Sequence, residues 1–372
     1  MQESNNWKEM RPVLEILVPT FNRSDAAQEA IENVLACNDE RLTVRCNSNC
    51  YDATLEKYRN LGPRVKYDSF DINRGAKENI YKLLSESNAK FCMILSDEDR
   101  INTNEYNKIL NYLENLSSSI QVVSCSIYNL DEVGYYWRPN QRFSEIDIHG
   151  FVALSPIPTY ISGFIFSVDS LKTIDLKSFF NSSIGNVYPF IDAALYMLFQ
   201  GELKFYHHRF VEKGPEIEYG GDGYSHKSKD SDLETYNIKN LDLNPSVYGP
   251  KVRARQFFYR ENLLHKLKDN IGHVSLFIGK LNYVEFFYKS IMDSEDIVIF
   301  TNNMILKDEA LAGYHDSKEN KEYSGSLTAR FFKMLLHYPK YITDLIMIIV
   351  STFNRILRKI YLLNLIYNKS KK

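Results

Sequence analysis

The stretch FCMILSDEDRIN, from Phe91 to Asn102, joins a short apolar run directly to three acidic residues. The apolar run has the length and composition of a buried β-strand. The acids Asp97, Glu98 and Asp99 follow it after a single serine. In open parallel sheets, ligands bind beyond the carboxyl ends of the strands, so this abrupt change predicts a strand of such a sheet with a polar site at its end.

Strand-like and helix-like segments alternate on both sides of this stretch. Strands are predicted at Leu14–Pro19, Leu42–Cys46, Arg64–Tyr67, Lys90–Leu95 and Ile120–Tyr128. Helices are predicted between them at Ser24–Ala36, Ala53–Asn60, Ala76–Glu86 and Glu105–Leu116. This alternation predicts an α/β fold with right-handed βαβ units and a mostly parallel sheet flanked by helices.

The second half of the chain is less regular before it becomes helical. Its patterns predict a strand at Gly163–Val168, a helix at Pro189–Phe199 and a strand at Glu202–His208. The long polar segment Glu212–Asp232 contains several glycines and is typical of either a functional lid or a disordered loop. From about Pro245 the sequence predicts helices to its end.

The composition argues against several classes of protein. A chain that is 44% hydrophobic and 25% charged is globular, and a net charge of -2 gives it no general attraction to nucleic acid. Five cysteines without a CxxC pair favour a reducing compartment over a disulfide scaffold or a zinc site. We expect no signal peptide, and no uncharged apolar run reaches the about 18–20 residues of a spanning helix.

Polar residues follow three of the predicted strands at their carboxyl ends. They are Thr20–Arg23, Asn47–Asn49 and Ser96–Asp99, and a parallel sheet would bring them to one crevice. Paired carboxylates there repel each other unless a cation joins them, and Mg²⁺ or Mn²⁺ takes such oxygen ligands together with phosphates. In the alternative interpretation, Ser96–Asp99 caps the next helix or faces water.

Four motifs of the sequence are LVPTFNRSDAAQEAIENVL, CNSNCYDAT, NRGAKEN and LSDED. Their order and spacing over Leu14–Asn102, and more faintly to about Asp232, resemble those of the GT-A fold glycosyltransferases of family 2. The first motif resembles the opening strand and helix of that family, and the second stands at the position of its acidic turn. The third resembles an N-x-G-x-x-x-N element, and the fourth resembles the metal-binding D-x-D position. The chain looks most similar to the branch that builds bacterial O-antigens and capsules, including abequosyltransferase-like enzymes.

The resemblance implies a domain organisation. A GT-A catalytic domain would occupy residues 1–243, with a nucleotide-sugar half at about 12–130 and an acceptor half at about 131–243. The sheet of this domain would be Rossmann-like. The residue pattern after it predicts a helical extension at 244–324 and basic amphipathic, membrane-associating helices at 325–372.

Two positions depart from the family pattern. Asn47 stands where the family often has an Asp that binds the nucleotide base, and Ser96 stands where many members have the first acid of the D-x-D. The acids are displaced by one place, so Asp97 and Asp99 form the D-x-D here.

The resemblance also implies a set of site residues. Those expected to bind the donor are Pro19, Thr20, Asn22, Arg23, Asn47, Asn73, Gly75, Asn79 and Asp97. The metal would be held by Asp97 and Asp99, with His226 of the polar segment as a third ligand. The alternatives are an ordinary strand-to-helix turn for Pro19, Thr20 and Asn22, and an exposed loop histidine for His226.

Asp192 is the predicted catalytic base. An inverting transferase needs a carboxylate to take the proton from the attacking hydroxyl, and the family supplies one at a helix start in its second half. The alternative is an acid that stabilises the first turn of a helix through the helix dipole.

The implied activity is metal-dependent, inverting transfer from a nucleoside diphosphate sugar to a lipid-linked or growing surface glycan, with Mn²⁺ or Mg²⁺. One alternative is an inactive glycan-binding or scaffold subunit. A sugar nucleotidyltransferase is disfavoured because PTFNRSDAA contains no glycine for a phosphate loop.

The last 48 residues are strongly basic. From Gly325 to Lys372 there are nine basic residues and one acid, Asp344, a net charge of +8 against -10 for the rest of the chain. Apolar and aromatic residues lie among these cations, which predicts helices that lie in the surface of an anionic membrane, with a break at Pro339. We therefore expect a cytoplasmic protein on the inner face of the cell membrane. A helical hairpin packed on the domain or on a second subunit is the alternative.

Overall fold

The computed structural model describes residues 11–130, 134–138, 144–154, 160–181, 189–214, 250–292, 314–315, 326–337 and 340–369. They divide into two compact units. The first includes the described parts of 1–147, 158–181 and 188–217, and the second includes those of 148–157 and 218–372. The predicted domain boundaries at 243 and 324 lie outside the described residues, as does His226.

The elements confirm the predicted α/β fold with a helical C-terminal region. The strands are β1 (Leu14–Thr20), β2 (Leu42–Ser48), β3 (Val65–Ser69), β4 (Phe91–Ile94), β5 (Arg100–Ile101), β6 (Ile120–Asn129), β7 (Tyr135–Trp137), β8 (Glu145–Ile146), β9 (Phe164–Ser167) and β10 (Glu202–Lys213). The helices are α1 (Ser24–Leu35), α2 (Gly75–Glu86), α3 (Tyr106–Glu114), α4 (Ile148–Leu154), α5 (Val168–Leu171), α6 (Leu176–Asn181), α7 (Pro189–Met197), α8 (Pro250–Lys266), α9 (His273–Met292), α10 (Leu327–His337) and α11 (Lys340–Lys369).

The first unit is built on one sheet, whose described strands follow the order β3-β2-β1-β4-β9-β6-β10-β5. The first four strands in this order are parallel. In β1, Leu14, Ile16, Leu17 and Val18 are fully buried, because helices cover both faces of a parallel sheet and favour continuous apolar strands. The parallel half of the sheet therefore has the predicted arrangement.

The other half of the sheet is mixed. Strand β9 pairs antiparallel with both β4 and β6, while β6 and β10 are parallel. This insertion places the residues before β9 beside the carboxyl end of β4. Gly201 begins the turn into β10, and a Cβ atom there would lie 2.2 Å from the carbonyl oxygen of Ser119.

One predicted helix is almost absent. The segment Ala53–Asn60 forms only a 3₁₀ turn at Glu56–Tyr58. Leu55 and Tyr58 are its buried apolar residues, and Gly62 follows with a φ of +147°. A segment with so small an apolar face gains too little from packing to offset the cost of helix nucleation.

The second unit has its own aromatic core. Phe257 of α8 stacks on Phe332 of α10 with ring centroids 3.8 Å apart, and Phe287 of α9 packs against the same cluster. Glu261 is buried and accepts hydrogen bonds from Lys280 at 2.6 Å and from Ser326 at 2.5 Å. These contacts join three helices that are separate in sequence.

Two further sequence expectations concern the basic segment. Helix α10 ends at His337 and α11 begins at Lys340, so the expected break falls between them, although Pro339 itself is outside the described residues. Within the described ranges, no helix has the length and apolar character needed to cross a membrane.

We expect Gly201→Ala to destabilise the first unit by about 1–3 kcal/mol, because the new methyl group would force the Ser119 backbone to move. Urea unfolding followed by circular dichroism measures this loss. Gly272→Ala is the matched control, since its Cβ would meet its nearest atom at an ordinary 3.6 Å. Equal unfolding midpoints for the two variants would contradict the prediction.

Candidate active site

The carboxyl ends of β1 and β2 are joined by one asparagine. Asn79, in the first turns of α2, donates from Nδ2 to the carbonyl oxygens of Thr20 at 3.2 Å and Asn47 at 3.1 Å. Its Oδ1 accepts from Nδ2 of Asn47 at 2.9 Å. Both asparagine side chains are buried, so they position the strand ends and the start of α2 relative to each other.

A second group of hydrogen bonds shapes the turn before α2. Asn49 donates from Nδ2 to Oδ1 of Asn73 at 2.6 Å and accepts from the backbone N–H of Arg74 at 2.8 Å. The N–H of Gly75 also donates to Asn73, at 2.9 Å. Gly75 has a φ of +83°, in the left-handed region that glycine adopts without strain. The predicted N-x-G-x-x-x-N element is therefore a closed turn held against β2.

The turn after β1 projects toward the same edge of the sheet. Pro19 pairs in register with Asn47, and Thr20 pairs with Ser48. Asn22 follows with a φ of +53° and is exposed. We call the edge formed by β1, β2 and the start of α2 the strand-end crevice.

The residues Ser96–Asp99, which we call the acid turn, follow β4. The N–H of Asp99 donates to the carbonyl of Ser96 at 2.9 Å and closes the turn. Arg100 stabilises the turn, because its guanidinium donates to the carbonyl oxygens of Asp97 at 2.9 Å and Asp99 at 2.7 Å. The side chains of Asp97 and Asp99 are fully buried, so the alternative in which this run faces water is wrong for these two acids.

Segments far away in sequence cover Asp99. Its Oδ1 accepts from the hydroxyl of Tyr160 at 2.6 Å and from the N–H of Gly214 at 3.0 Å. Its Oδ2 accepts from the hydroxyl of Ser162 at 2.5 Å. A Cβ atom on Gly214 would lie 1.9 Å from the carbonyl oxygen of Glu98, so only glycine allows this approach. Both oxygens of Asp99 are thus engaged by the protein.

Asp97 lies next to a protein cation. Its Oδ2 accepts from the hydroxyl of Thr20 at 2.7 Å, and its Oδ1 lies 3.0 Å from Nη2 of Arg23. The Oδ1 contact is an ion pair without hydrogen-bond alignment. Nη1 of the same guanidinium donates to Oε2 of Glu98 at 2.9 Å. Arg23 therefore bridges two carboxylates of the acid turn.

Burial decides how these carboxyl groups titrate. Desolvation raises the pKa of Asp97 to about 6, against the lowering effects of the Arg23 charge and the Thr20 hydrogen bond. Desolvation also raises the pKa of Asp99 to about 6, although the hydrogen bonds from Ser162 and Tyr160 lower it. Burial and the neighbouring Asp99 raise the pKa of the Tyr160 phenol well above its usual range.

Whether the acid turn suits a metal ion depends on which of its carboxylate oxygens do not already accept a hydrogen bond from the protein. Asp97 Oδ1 has no aligned hydrogen bond, and Arg23 already supplies a positive charge between it and Glu98. The two carboxylates therefore fit a cation. Asp99 offers less to a cation, because both of its oxygens already accept hydrogen bonds from three protein donors. Across the described residues, no three His, Cys, Asp or Glu side chains are grouped so that they could hold a metal ion.

Glu98 was missed by the sequence analysis. The D-x-D spacing selected the acids on either side of it, yet its side chain is 21% exposed while theirs are buried. The sequence does place Glu98 in a run of three consecutive acids. Only their alternating directions show which of the three faces outward.

Asp192 lies in the first turn of α7, as predicted, but it is fully buried. Burial and the Asp192 charge raise the pKa of Tyr196, one turn later in the helix. In this conformation, solvent does not reach the carboxylate. Its catalytic role stays a prediction.

Residues 15–174 match the family model Glycosyl transferase family 2. This segment contains the strand-end crevice and the acid turn, and it includes Tyr160 and Ser162. Gly214, Asp192 and the predicted ligand His226 lie beyond it. The match spans less than half of the 372 residues.

Solved structures resemble the chain over most of its length at low identity. S. aureus TarS 1–349 in complex with UDP is 12% identical, with a TM-score of 0.50, over 87% of this chain and 90% of that one. The mannosyltransferase PcManGT from Pyrobaculum calidifontis, in complex with GDP-Man and Mn²⁺, is 14% identical, with a TM-score of 0.45, over 94% and 87%. No curated protein matches the sequence. At these identities, the likeness to TarS concerns the fold alone.

We predict that Asp99→Asn changes how stability depends on pH. The folded-state pKa of about 6 lies above the value of about 3.9 in an unfolded chain, so the folded protein holds more protons between these values. The contribution of this group to stability is therefore present below about pH 4 and is lost as pH rises through 6. Asparagine does not titrate and can still accept from Tyr160 and Gly214.

The measurement is the urea unfolding midpoint of both proteins from pH 4 to 7 in EDTA. The stability of the variant relative to wild type should rise with pH by up to about 3 kcal/mol, since each pKa unit corresponds to about 1.4 kcal/mol. Parallel curves for the two proteins would mean that Asp99 has an ordinary pKa in the fold.

Proposed function

We propose that this protein is an inverting glycosyltransferase that moves a sugar from a nucleoside diphosphate sugar to an acceptor hydroxyl. The observation that carries the proposal is the acid turn, which ends a buried parallel strand inside the segment matching glycosyl transferase family 2. Asp97 and Glu98 share one cation there. A carboxylate pair that holds a positive charge beside a nucleotide crevice suits the binding of a diphosphate.

The residues predicted to bind the sugar donor include both buried and solvent-accessible side chains. Asn47 and Asn79 are buried and bond to each other, so we propose that they position the crevice rather than touch the donor. Asn22 is exposed, and Asn73 and Gly75 are half-buried at the rim. We propose that these three, with Pro19, form the donor surface. Thr20 is buried and donates to Asp97, so we propose that it positions the acid turn instead. TarS, which shares the fold, binds UDP, and this favours a nucleoside diphosphate as the ligand.

The divalent cation is a further part of the proposal. We propose that Asp97 and Glu98 hold Mn²⁺ or Mg²⁺, with Asp99 fixing the turn rather than binding the ion. When bound, such an ion neutralises the negative charge that develops on a leaving diphosphate. Arg23 would then exchange its carboxylate partners for phosphate oxygens, a charge-assisted pairing that suits its planar guanidinium. His226 stays a prediction from the sequence.

We propose that Asp192 removes the proton from the acceptor hydroxyl. It is an acid at the start of a helix in the unit that holds the acid turn. Because it is buried here, acceptor binding must uncover it. A lipid-linked or growing surface glycan of the O-antigen or capsule class is the acceptor that the sequence motifs favour.

An inactive glycan-binding subunit is the second candidate, and one observation favours it. Protein groups already contact all four carboxylate oxygens of Asp97 and Asp99, although the contact of Asp97 Oδ1 is only an ion pair with Arg23. The contacting residues are Arg23, Thr20, Tyr160, Ser162 and Gly214. Turnover of nucleotide sugars separates the two candidates.

Glu98→Gln should weaken binding of a nucleoside diphosphate with Mn²⁺ by at least about tenfold, the effect of about 1.4 kcal/mol, because it removes one of two charges facing the cation. The measurement is a thermal-shift titration of UDP and GDP sugars with and without Mn²⁺. Glu114→Gln, at the end of α3, is the control with the same change in charge. Binding and turnover that persist unchanged in EDTA would remove the metal from the proposal while leaving the transferase activity.

Asp192→Asn should lower transfer by about 10²–10⁴-fold while donor binding survives, because the shape is kept and the basic site is lost. Steady-state transfer rates and donor affinity are measured together. Asp175→Asn, at an exposed aspartate of the same unit, is the control. Transfer at the wild-type rate would mean that Asp192 only stabilises the first turn of α7 through the helix dipole.

A further inference from the structure

One side of α11 is apolar and faces solvent. Its residues are Leu345, Ile348, Ile349, Phe353, Ile356 and Ile360, each at least 50% exposed. At about 100° per residue they fall within one arc of the helix surface, about 140° wide. The stripe runs for about 22 Å along the axis. A contiguous solvent-exposed apolar face of this size marks a site of contact with another molecule.

The opposite side of α11 is already in use. Thr343, Met347 and Asn354 point about 180° away from the stripe and are buried. Asn354 donates from Nδ2 to Asn282 at 2.8 Å and to Glu285 at 3.2 Å, both on α9. Directed hydrogen bonds therefore fix the rotation of α11. The exposed stripe is not a core face that a small rotation of the helix could bury.

Charge identifies the partner. Arg355 and Lys359 are exposed along one margin of the stripe, and Asp344 is the only acid of α11. A second copy of α11 packed antiparallel about the helix midpoint would bring Arg355 close to its own copy. An anionic bilayer instead offers phosphates to the cations and acyl chains to the apolar side chains.

We propose that α11 lies flat in the headgroup layer of an anionic membrane, with the stripe directed toward the acyl chains and Arg355 and Lys359 paired with lipid phosphates. This surface belongs to the second unit. It is independent of the proposed sugar transfer, because vesicle binding needs neither a donor nor the acid turn.

The test is co-flotation of the full chain with vesicles of phosphatidylglycerol and phosphatidylcholine, compared with phosphatidylcholine alone. Wild type should bind the anionic vesicles at least tenfold more tightly, and added salt should weaken that binding. Ile356→Glu, at the centre of the stripe, should lower the affinity at least tenfold. Leu61→Glu is the matched control, since Leu61 is an exposed apolar residue of the first unit, 57% exposed against 51% for Ile356.

A second pair of variants separates the apolar and charged parts. Arg355→Gln with Lys359→Gln should reduce binding to anionic vesicles several-fold and leave the weak binding to phosphatidylcholine unchanged. Circular dichroism checks that each variant keeps its helices. Equal vesicle binding by Ile356→Glu and Leu61→Glu overturns the proposal, as does the absence of wild-type binding at low salt. A wild-type dimer that Ile356→Glu converts to monomer, with no competition from lipid, would assign the stripe to a second copy and also overturn it.

Discussion

The burial of two carboxylates at the end of β4 is the constraint on which the first unit depends. Charged groups leave water only when other charges and hydrogen bonds replace it. Asp97 has Thr20 and Arg23 for this purpose, and Asp99 has Tyr160, Ser162 and Gly214. Breaking any of these contacts leaves a buried acid less well satisfied, so the acid turn requires its neighbours to stay in place.

These partners come from widely separated parts of the chain. Thr20 lies 77 residues before Asp97, and Gly214 lies 115 residues after Asp99. The same few contacts therefore hold the end of β1, the approach to β9 and the end of β10 at one point. The mixed half of the sheet serves this purpose, because β9 pairs with β4 and brings Ser162 beside the acid turn. In the proposed reaction, a site organised from several directions would keep its shape while a diphosphate enters and leaves.

The charged groups that face outward differ between the two units. In the first unit, Arg23 is 20% exposed and pairs with the carboxylates of Asp97 and Glu98. In the second unit, the exposed groups are the apolar stripe of α11 and the cations at its margin. One arrangement suits a small phosphorylated ligand and the other suits an extended anionic surface. The two proposals therefore rest on separate physical features and can fail separately.

By itself, the sequence determined most elements of the parallel half of the sheet and marked the strand ends that form the candidate site. Period and composition predicted β1, β2, β4 and β6 and the helices α1 to α3, because buried parallel strands and amphipathic helices are local patterns. The acid run and NRGAKEN marked the strand ends for the same reason. The prediction of a helix at Ala53–Asn60 was wrong, because the local pattern there is weak and the burial of so few apolar residues stabilises a helix too little.

Only the tertiary structure decided which acid faces outward and which are buried. Asp97, Glu98 and Asp99 are equivalent in sequence, yet Tyr160, Ser162 and Gly214 enclose the last of them, and nothing local to the run predicts those partners. The exposure of the α11 stripe also depends on tertiary contacts. Helix α11 is apolar on two sides, and the hydrogen bonds of Asn354 to α9 select the side that packs. Contacts between distant segments set these outcomes, because the energy of burying a group depends on what surrounds it.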